Sequence, residues 1–202
     1  AAKYGGVHIA ADSGDRGHSY IPRQEELSLT PGAAYFHYCA NNTIYGTAWD
    51  YVPRTDAPLV CDMSSEIMSH PVDVSRYGLI YAGAQKNMAP AGLTVVIVGK
   101  ELAGRELPIT PQIMSYAKMI DTGSMLNTPP AWCIYMLGLT LAWVEEQGGV
   151  TEMERRKKER SALLYDVLCN SRFYRPHAEA HSRSDMNVTF RTGNDDQDAE
   201  FI

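Results

Sequence analysis

The sequence predicts an α/β fold in which helices cover a mostly parallel sheet. Five short apolar runs are bounded by Gly, Pro, Asn, Asp or Ser, as is typical of strands. None of them alternates cleanly between polar and apolar residues, which indicates strands buried on both faces of a sheet. Such a sheet needs helices on each side, and the second half of the chain supplies two helical patterns. The predicted strands span residues 6–11, 33–39, 59–61, 77–82 and 93–98.

The turn between the last two predicted strands contains Lys86. About ten residues connect these strands, too few for a helical crossover, so we expect the strands to be antiparallel. Lys86 then lies on a tight turn at one edge of the sheet. Burying an ammonium group is costly unless its charge is paired or removed, and a covalent imine with a carbonyl cofactor removes it. The alternative is an ordinary exposed lysine, because most lysines are exposed.

Two other residues that follow strands could belong to the same site. Asp62 follows the strand at 59–61, and an acid near a lysine is what pyridoxal-phosphate chemistry requires, because the acid keeps the pyridine nitrogen protonated. The alternative is a helix N-cap at Asp62, since Ser64 and Ser65 come next, and these serines could also orient its carboxylate. Thr43 follows another strand in an Asn-rich stretch, so a plain turn residue is its alternative.

A strong helix start lies at residues 127–130, where Asn127 or Thr128 can cap the helix and two prolines fit its first turn. This helix is apolar nearly all round and ends at the glycine pair 148–149, so we expect it to be buried. Its aromatic residues, Trp132, Tyr135 and Trp143, are expected in a core or an interface.

A second, amphipathic helix is predicted from about residue 151 to 168. After residue 170 the chain changes character, because 173–176 and 186–191 resemble strands of a smaller unit. A further helix is expected to begin near 198. Apolar residues at this abrupt end suggest a truncated, central fragment of a longer chain.

Composition excludes several classes of partner. The formal net charge of −6 argues against a nucleic-acid partner. The longest uncharged apolar stretch, 129–144, is shorter than a bilayer-spanning helix. The four cysteines lack C-x-x-C spacing and no signal peptide is visible, so we expect reduced thiols and a cytoplasmic location. His177 and His181 have helical spacing but no evident third ligand, so we expect no metal site.

Six motifs follow one another as they do in phosphoserine aminotransferases, and the sequence resembles that family over nearly its whole length. The combination of GAQKN with NTPP is more specific than any single motif. The six are NTIYG at 42–46, DMSS at 62–65, DVSRYG at 73–78, GAQKN at 83–87, NTPP at 127–130 and RSDMNV at 183–188.

The resemblance implies pyridoxal 5'-phosphate as cofactor and a role for each site residue. Lys86 would carry the aldehyde as an imine and then move protons, and Asp62 would pair with the pyridine nitrogen. Thr43 would bind the ring hydroxyl and Gln85 the phosphate. Ala89 stands where the family often has glycine, and it would be strained if its φ were positive.

Asn127 and Thr128 are implied to contact the cofactor phosphate of a partner subunit, which makes the active protein a homodimer. The implied reaction is ping-pong transamination in serine biosynthesis. Its substrates would be O-phospho-L-serine, 3-phosphohydroxypyruvate, glutamate and 2-oxoglutarate. The alternatives are another class V aminotransferase, a desulfurase-like or alanine–glyoxylate-type enzyme, and a non-catalytic fragment that only dimerises.

The implied fold is the large domain of a type I aminotransferase, with helices on both faces of its sheet, plus the start of a small α+β C-terminal domain. Residues 1–149 would be part of the cofactor-binding large domain, 150–170 an inter-domain helix, and 171–202 the start of the small domain. Segments that bind the substrate carboxylate and phosphate cannot be placed in this sequence.

Overall fold

The computed structural model describes residues 2–201 and contains a central four-stranded sheet. In chain order the strands are β1 (Phe36–Cys39), β2 (Asn41–Asn42), β3 (Thr47–Ala48), β4 (Leu59–Asp62), β5 (Leu79–Gly83) and β6 (Thr94–Val98). The sheet order is β1-β4-β5-β6, while β2 and β3 form a separate hairpin. The first three strands of the sheet are parallel, and β6 is antiparallel to β5. The α/β prediction and the antiparallel final pair are therefore confirmed.

The two faces of the sheet differ in burial. Side chains on one face, including Tyr38, Cys61 and Ile80, are almost completely buried. Trp49 and other apolar side chains pack against this face. On the opposite face His37 is exposed, and the residues of β4 and β5 are only half-buried. The prediction of strands buried on both faces is wrong here, because the apolar packing within the described residues gathers on the Tyr38 side.

The predicted strand at 6–11 is wrong. This segment pairs with no strand within residues 2–201, and Val7 and Ile9 are 59% and 72% exposed. Its short apolar run matches the strand pattern, but strands need a neighbour to satisfy their backbone groups.

Three helices follow the sheet: α1 (Tyr116–Asp121), α2 (Ala131–Glu146) and α3 (Gly149–Asn170). The turn between α2 and α3 uses the predicted glycines, since Gly148 has φ 104°. Helix α2 begins as predicted just after the two prolines, but no side chain caps it. The prediction that Asn127 or Thr128 caps this helix is therefore wrong.

The prediction that α2 is buried is also wrong. Cys133 and Val144 are buried, and Leu137 packs under the turn that carries Lys86. The aromatic side chains lie on a different side, where Trp132 is 64% and Tyr135 60% exposed. An apolar pattern all round a helix does not specify which side the rest of the chain covers.

The last part of the chain forms a small antiparallel pair, β7 (Arg175–Pro176) with β8 (Phe190–Arg191), followed by α4 (Asp195–Phe201). The strands are shorter than predicted, and the final helix is confirmed. This part reaches back to the β2–β3 hairpin, where Asn41 Nδ2 donates to Asn187 Oδ1 at 2.7 Å. Among the helices in residues 2–201, none has the length and apolar character needed to cross a membrane.

Candidate functional site

The candidate site lies where β4 and β5 end side by side. Asp62 is the last residue of β4 and is directly opposite Tyr81 in the register of the parallel pair. The Ser64 backbone N–H donates to Asp62 Oδ1 at 2.8 Å, which closes a tight turn after the strand. Ser64 Oγ in turn accepts from the Gly83 N–H at 2.9 Å. The bond from the Ser64 backbone fixes the Asp62 carboxylate at the end of the sheet, whereas the bond to the Ser64 hydroxyl group joins the turn to β5. Asp62 caps a turn here, and no helix follows directly within the described residues.

Buried residues and hydrogen bonds hold the turn that carries Lys86. Ala84 and Met88 are buried, and the Met88 N–H donates to the Ala84 carbonyl at 3.0 Å. Asn87 Nδ2 donates to the Ile67 carbonyl at 2.8 Å, which ties this turn to the turn after Asp62. Ala89 is not among the residues with positive φ, so the alanine is tolerated without backbone strain.

Lys86 is exposed in this chain, so the expectation of a buried ammonium group is wrong. The turn places its side chain at the rim of the sheet, where hydroxyl groups solvate it instead of a buried counter-ion. Lys86 Nζ donates to Thr43 Oγ1 and to Ser65 Oγ, the latter at 2.6 Å. Thr43 Oγ1 and Ser65 Oγ are themselves 2.6 Å apart. Three side chains that are distant in sequence therefore meet at one point.

Thr43 reaches this point because of the β2–β3 hairpin. Asn42 Oδ1 accepts from the backbone N–H groups of Ile44 and Tyr45 at 2.9 and 3.1 Å, which makes an Asx turn. Gly46 completes the turn with φ 66°, a conformation that favours glycine. The hairpin presents the exposed Thr43 hydroxyl beside Lys86.

The open face of the sheet carries titratable groups next to Asp62. His37 Nε2 and the Tyr81 hydroxyl form a 3.0 Å hydrogen bond. Burial raises the pKa of Tyr81 to about 12, and the negative charge of Asp62 acts in the same direction. Burial lowers the pKa of His37, an effect that Asp62 opposes. Sequence reasoning missed both residues, because only the strand register brings them to the carboxylate.

Glu66 lies behind the site, in the turn that follows Asp62. Burial raises its pKa to about 7, although the nearby Lys157 ammonium of α3 favours the ionised form. Lys157 also lies 3.9 Å from the Asp185 carboxylate, and Ser161 Oγ donates to the same side chain at 2.8 Å. This charged group connects the site turn to α3 and to the segment around residue 185.

The remaining predicted site residues stay apart from Lys86. The Gln85 side chain folds over Gly83, since a Cβ at Gly83 would lie 2.5 Å from Gln85 Oε1. Asn127 and Thr128 are exposed, and Asn127 Nδ2 donates to the carbonyl of Thr128 at 3.3 Å. Within residues 2–201, no hydrogen bond joins either of them to the Lys86 group. The structure therefore brings together Thr43 and Lys86 near Asp62, and it also adds Ser65, which sequence reasoning had linked only to Asp62.

The parallel strands, the strand-end carboxylate and the amine on the following turn define a class: an α/β protein with a lysine amine at the carboxyl edge of its sheet. More specifically, the chain belongs to the aminotransferase class-V family, whose profile matches residues 1–202.

Curated relatives share nearly half of their aligned residues with this chain. It is 47% identical to the phosphoserine aminotransferase of Pseudomonas aeruginosa, over all of this chain and 56% of that protein. It is 46% identical to the phosphoserine aminotransferase of Geobacillus kaustophilus, with the same coverage of both chains. The chain thus spans about half the length of the curated relatives it matches. The resemblance found from the sequence motifs is confirmed.

Solved structures give the same result. The phosphoserine aminotransferase from Bacillus circulans subsp. alkalophilus matches with a TM-score of 0.94 and 39% identity, over 99% of this chain and 56% of that one. A PLP-bound phosphoserine aminotransferase from Trichomonas vaginalis matches with a TM-score of 0.85 and 34% identity, over 91% and 53%. An alanine–glyoxylate aminotransferase from Nostoc is only 16% identical, at a TM-score of 0.63, and shows the fold alone.

Proposed function

We propose that this chain is part of a phosphoserine:2-oxoglutarate aminotransferase that uses pyridoxal 5'-phosphate and acts in serine biosynthesis. The observation that carries the proposal is the Lys86 amine held between two hydroxyl groups at the sheet edge near Asp62. The relatives named phosphoserine aminotransferase support the substrate. The alternative transaminases are less favoured, because their similarity to this chain extends only to the fold.

The donor set fits the cofactor. Pyridoxal phosphate needs a primary amine for its aldehyde, an acid for its ring nitrogen and a hydroxyl group for its ring oxygen. Lys86, Asp62 and Thr43 offer these groups on neighbouring turns, on the less covered face and rim of the sheet. When bound, the cofactor supplies an electron sink for the carbanion that forms when the substrate loses its α-proton.

Each site residue of this chain would have a separate role toward the cofactor or the substrate. Lys86 would hold the cofactor through its amine and, once free, would take and return the α-proton as general base and acid. The Asp62 carboxylate would face the ring nitrogen and stabilise the protonated ring. Thr43 orients the ring through its hydroxyl group. Gln85 binds the phosphate from the turn beside Lys86.

The amino group would move from glutamate to 3-phosphohydroxypyruvate, giving 2-oxoglutarate and O-phospho-L-serine, or in the reverse direction. In either case the first product would leave before the second substrate binds. Residues 1–149 would serve as part of the cofactor-binding large domain and 150–170 as the inter-domain helix. Residues 171–202 would begin the small domain. The proposed location is the cytoplasm.

Borohydride labelling tests the proposed cofactor lysine. The full chain is loaded with pyridoxal phosphate, reduced with borohydride and digested, and the peptides are mapped by mass spectrometry. The mass of the reduced cofactor is expected on Lys86, with no label in a Lys86→Ala control. Label on Lys100 or Lys118 instead would contradict the assignment.

We also propose a homodimer whose cofactor sites are shared between subunits. Asn127 and Thr128 are exposed and cap no helix, so their side chains remain available to a ligand outside this subunit. The exposed aromatic side of α2, with Trp132 at 64% exposure, is the kind of surface that a second subunit covers.

Mixing two inactive variants tests the shared site. One variant is Asn127→Ala/Thr128→Ala and the other is Lys86→Ala. A heterodimer contains one site with both defects and one intact site, so partial activity should return after subunit exchange. A mixture that remains as inactive as its parents, with exchange verified by mass spectrometry, would exclude a shared site.

A further inference from the structure

Ser65 is the buried member of the group around Lys86. Its Oγ lies 2.6 Å from Lys86 Nζ and 2.6 Å from Thr43 Oγ1. Only 6% of Ser65 is exposed, whereas Lys86 and Thr43 are both exposed. Water can therefore replace contacts of the outer two residues far more easily than those of Ser65.

A count of donors fixes the direction of these hydrogen bonds. An ammonium group has three donors, and each hydroxyl group has one donor and two acceptor positions. Lys86 donates to both hydroxyl groups, so the bond between Ser65 and Thr43 needs one hydroxyl to donate to the other. Within residues 2–201, Ser65 Oγ has no partners besides Lys86 and Thr43. A buried donor without an acceptor is costly, so Ser65 donates to Thr43 and the Thr43 proton points outward.

We propose that Ser65 is a positioning residue for Lys86, which holds the free amine at the site and directs the Thr43 hydroxyl proton toward the bound cofactor. This inference rests on the proposed function. Thr43 would be engaged by the ring oxygen, so Ser65 is the partner that the amine keeps whenever Lys86 is not covalently bound. Ser65 acts through Lys86 and Thr43 and need not touch the substrate.

Ser64 is a matched control next to it in the chain. Ser64 Oγ accepts from the Gly83 backbone N–H at 2.9 Å, so this hydroxyl group supports the fold between the two strands. Removing it leaves a half-buried N–H without its acceptor and should lower stability. Removing the Ser65 hydroxyl group leaves Lys86 and Thr43 without this partner. Because both are exposed and can bind water instead, the stability of the fold should change little, but the amine loses the contact that positions it. Loss of the Ser65 hydroxyl group should therefore change cofactor attachment and kcat, whereas loss of the Ser64 hydroxyl group should change stability.

The experiment compares Ser65→Ala, Ser65→Thr and Ser64→Ala in the full chain. Apoprotein is mixed with pyridoxal phosphate in a stopped-flow instrument, and covalent attachment to Lys86 is followed by visible absorbance. We expect Ser65→Ala to slow attachment roughly tenfold, which corresponds to about 1.4 kcal/mol, close to the lower end of the range for one hydrogen bond to a charged group. Its kcat should fall by a similar factor, with the KM for glutamate unchanged. Ser65→Thr keeps the hydroxyl group and should restore both rates.

Ser64→Ala should show the opposite pattern: a lower unfolding temperature with attachment and kcat near those of the unchanged protein. Attachment and kcat unaffected by Ser65→Ala would overturn the inference while leaving the proposed function intact. The same would follow if both serine variants slowed attachment equally, because the effect would then be structural. Failure of the unchanged protein to attach the cofactor at Lys86 would overturn the proposed function and this inference together.

Discussion

Gly46 is expected to be irreplaceable in the hairpin that presents Thr43. Its φ of 66° lies in the left-handed region, where a side chain is disfavoured. A Cβ placed on Gly46 would lie 2.4 Å from Thr189 Oγ1 and 2.6 Å from the carbonyl oxygen of Asn187. The second atom belongs to the backbone, so relieving the contact requires the hairpin and the segment near residue 187 to separate.

Two contributions set the expected loss of stability in Gly46→Ala. The left-handed conformation costs an alanine about 1–2 kcal/mol. Overpacking against a fixed backbone adds about 1–3 kcal/mol, so the free energy of unfolding should fall by roughly 2–5 kcal/mol in total. Gly32 is a matched control, because its φ is 68° and nothing lies within 4 Å of its Cβ position. Gly32→Ala should therefore lose only the backbone contribution, about 1–2 kcal/mol.

Equilibrium urea unfolding of the full apoprotein, followed by far-ultraviolet circular dichroism, measures both variants under the same conditions. The midpoint of Gly46→Ala should lie clearly below that of Gly32→Ala, with similar m values. Equal midpoints for the two variants would refute the reasoning, because they would mean that the contact with residues 187 and 189 carries no energy.

Three further predictions concern charge and assembly. Asp62→Asn should retain cofactor but lose most of its kcat, because a neutral amide cannot hold the ring proton; an unchanged kcat in steady-state assays would mean that Asp62 only closes its turn. Burial raises the pKa of Glu66 from 4.5 to about 7, so the folded state binds the extra proton and stability falls as pH rises through this window. In urea unfolding at pH 8, Glu66→Gln should therefore be more stable than the unchanged protein by about 2–3 kcal/mol, with no such gain at about pH 4. A difference in stability that does not depend on pH would contradict this. Leu139→Glu, on the exposed side of α2 at 49% exposure, should convert the proposed dimer to monomer in light scattering, and an unchanged mass would remove α2 from the interface.

Local sequence patterns were sufficient to predict the direction of the strands at the site. The ten residues between β5 and β6 leave no room for a crossover helix, so the antiparallel pair and the Lys86 turn were predictable. An apolar run that ends in an acid likewise predicted Asp62 at the end of β4. These features depend on neighbours in the sequence, which is why the pattern determines them.

The partners of these residues depended on contacts between distant segments. Ser65 was expected beside Asp62, but the hairpin brings Thr43 over it, and both hydroxyl groups bind Lys86. The exposed side of α2 could not be predicted from the sequence either, because an apolar pattern all round a helix does not indicate which side packs against the rest of the protein.

The sequence by itself determined the α/β class, the two long helices α2 and α3, and the strand ends that carry Asp62 and Lys86, since each follows from local periodicity and connection length. The short helix α1 was not predicted. Only the tertiary structure decided which surfaces are covered and which side chains meet. The bond between Asn41 and Asn187, 146 positions apart, is one example, and the group of Thr43, Ser65 and Lys86 is the other. The physical reason is that burial and side-chain hydrogen bonds depend on which segments pack together, a property that no local pattern contains.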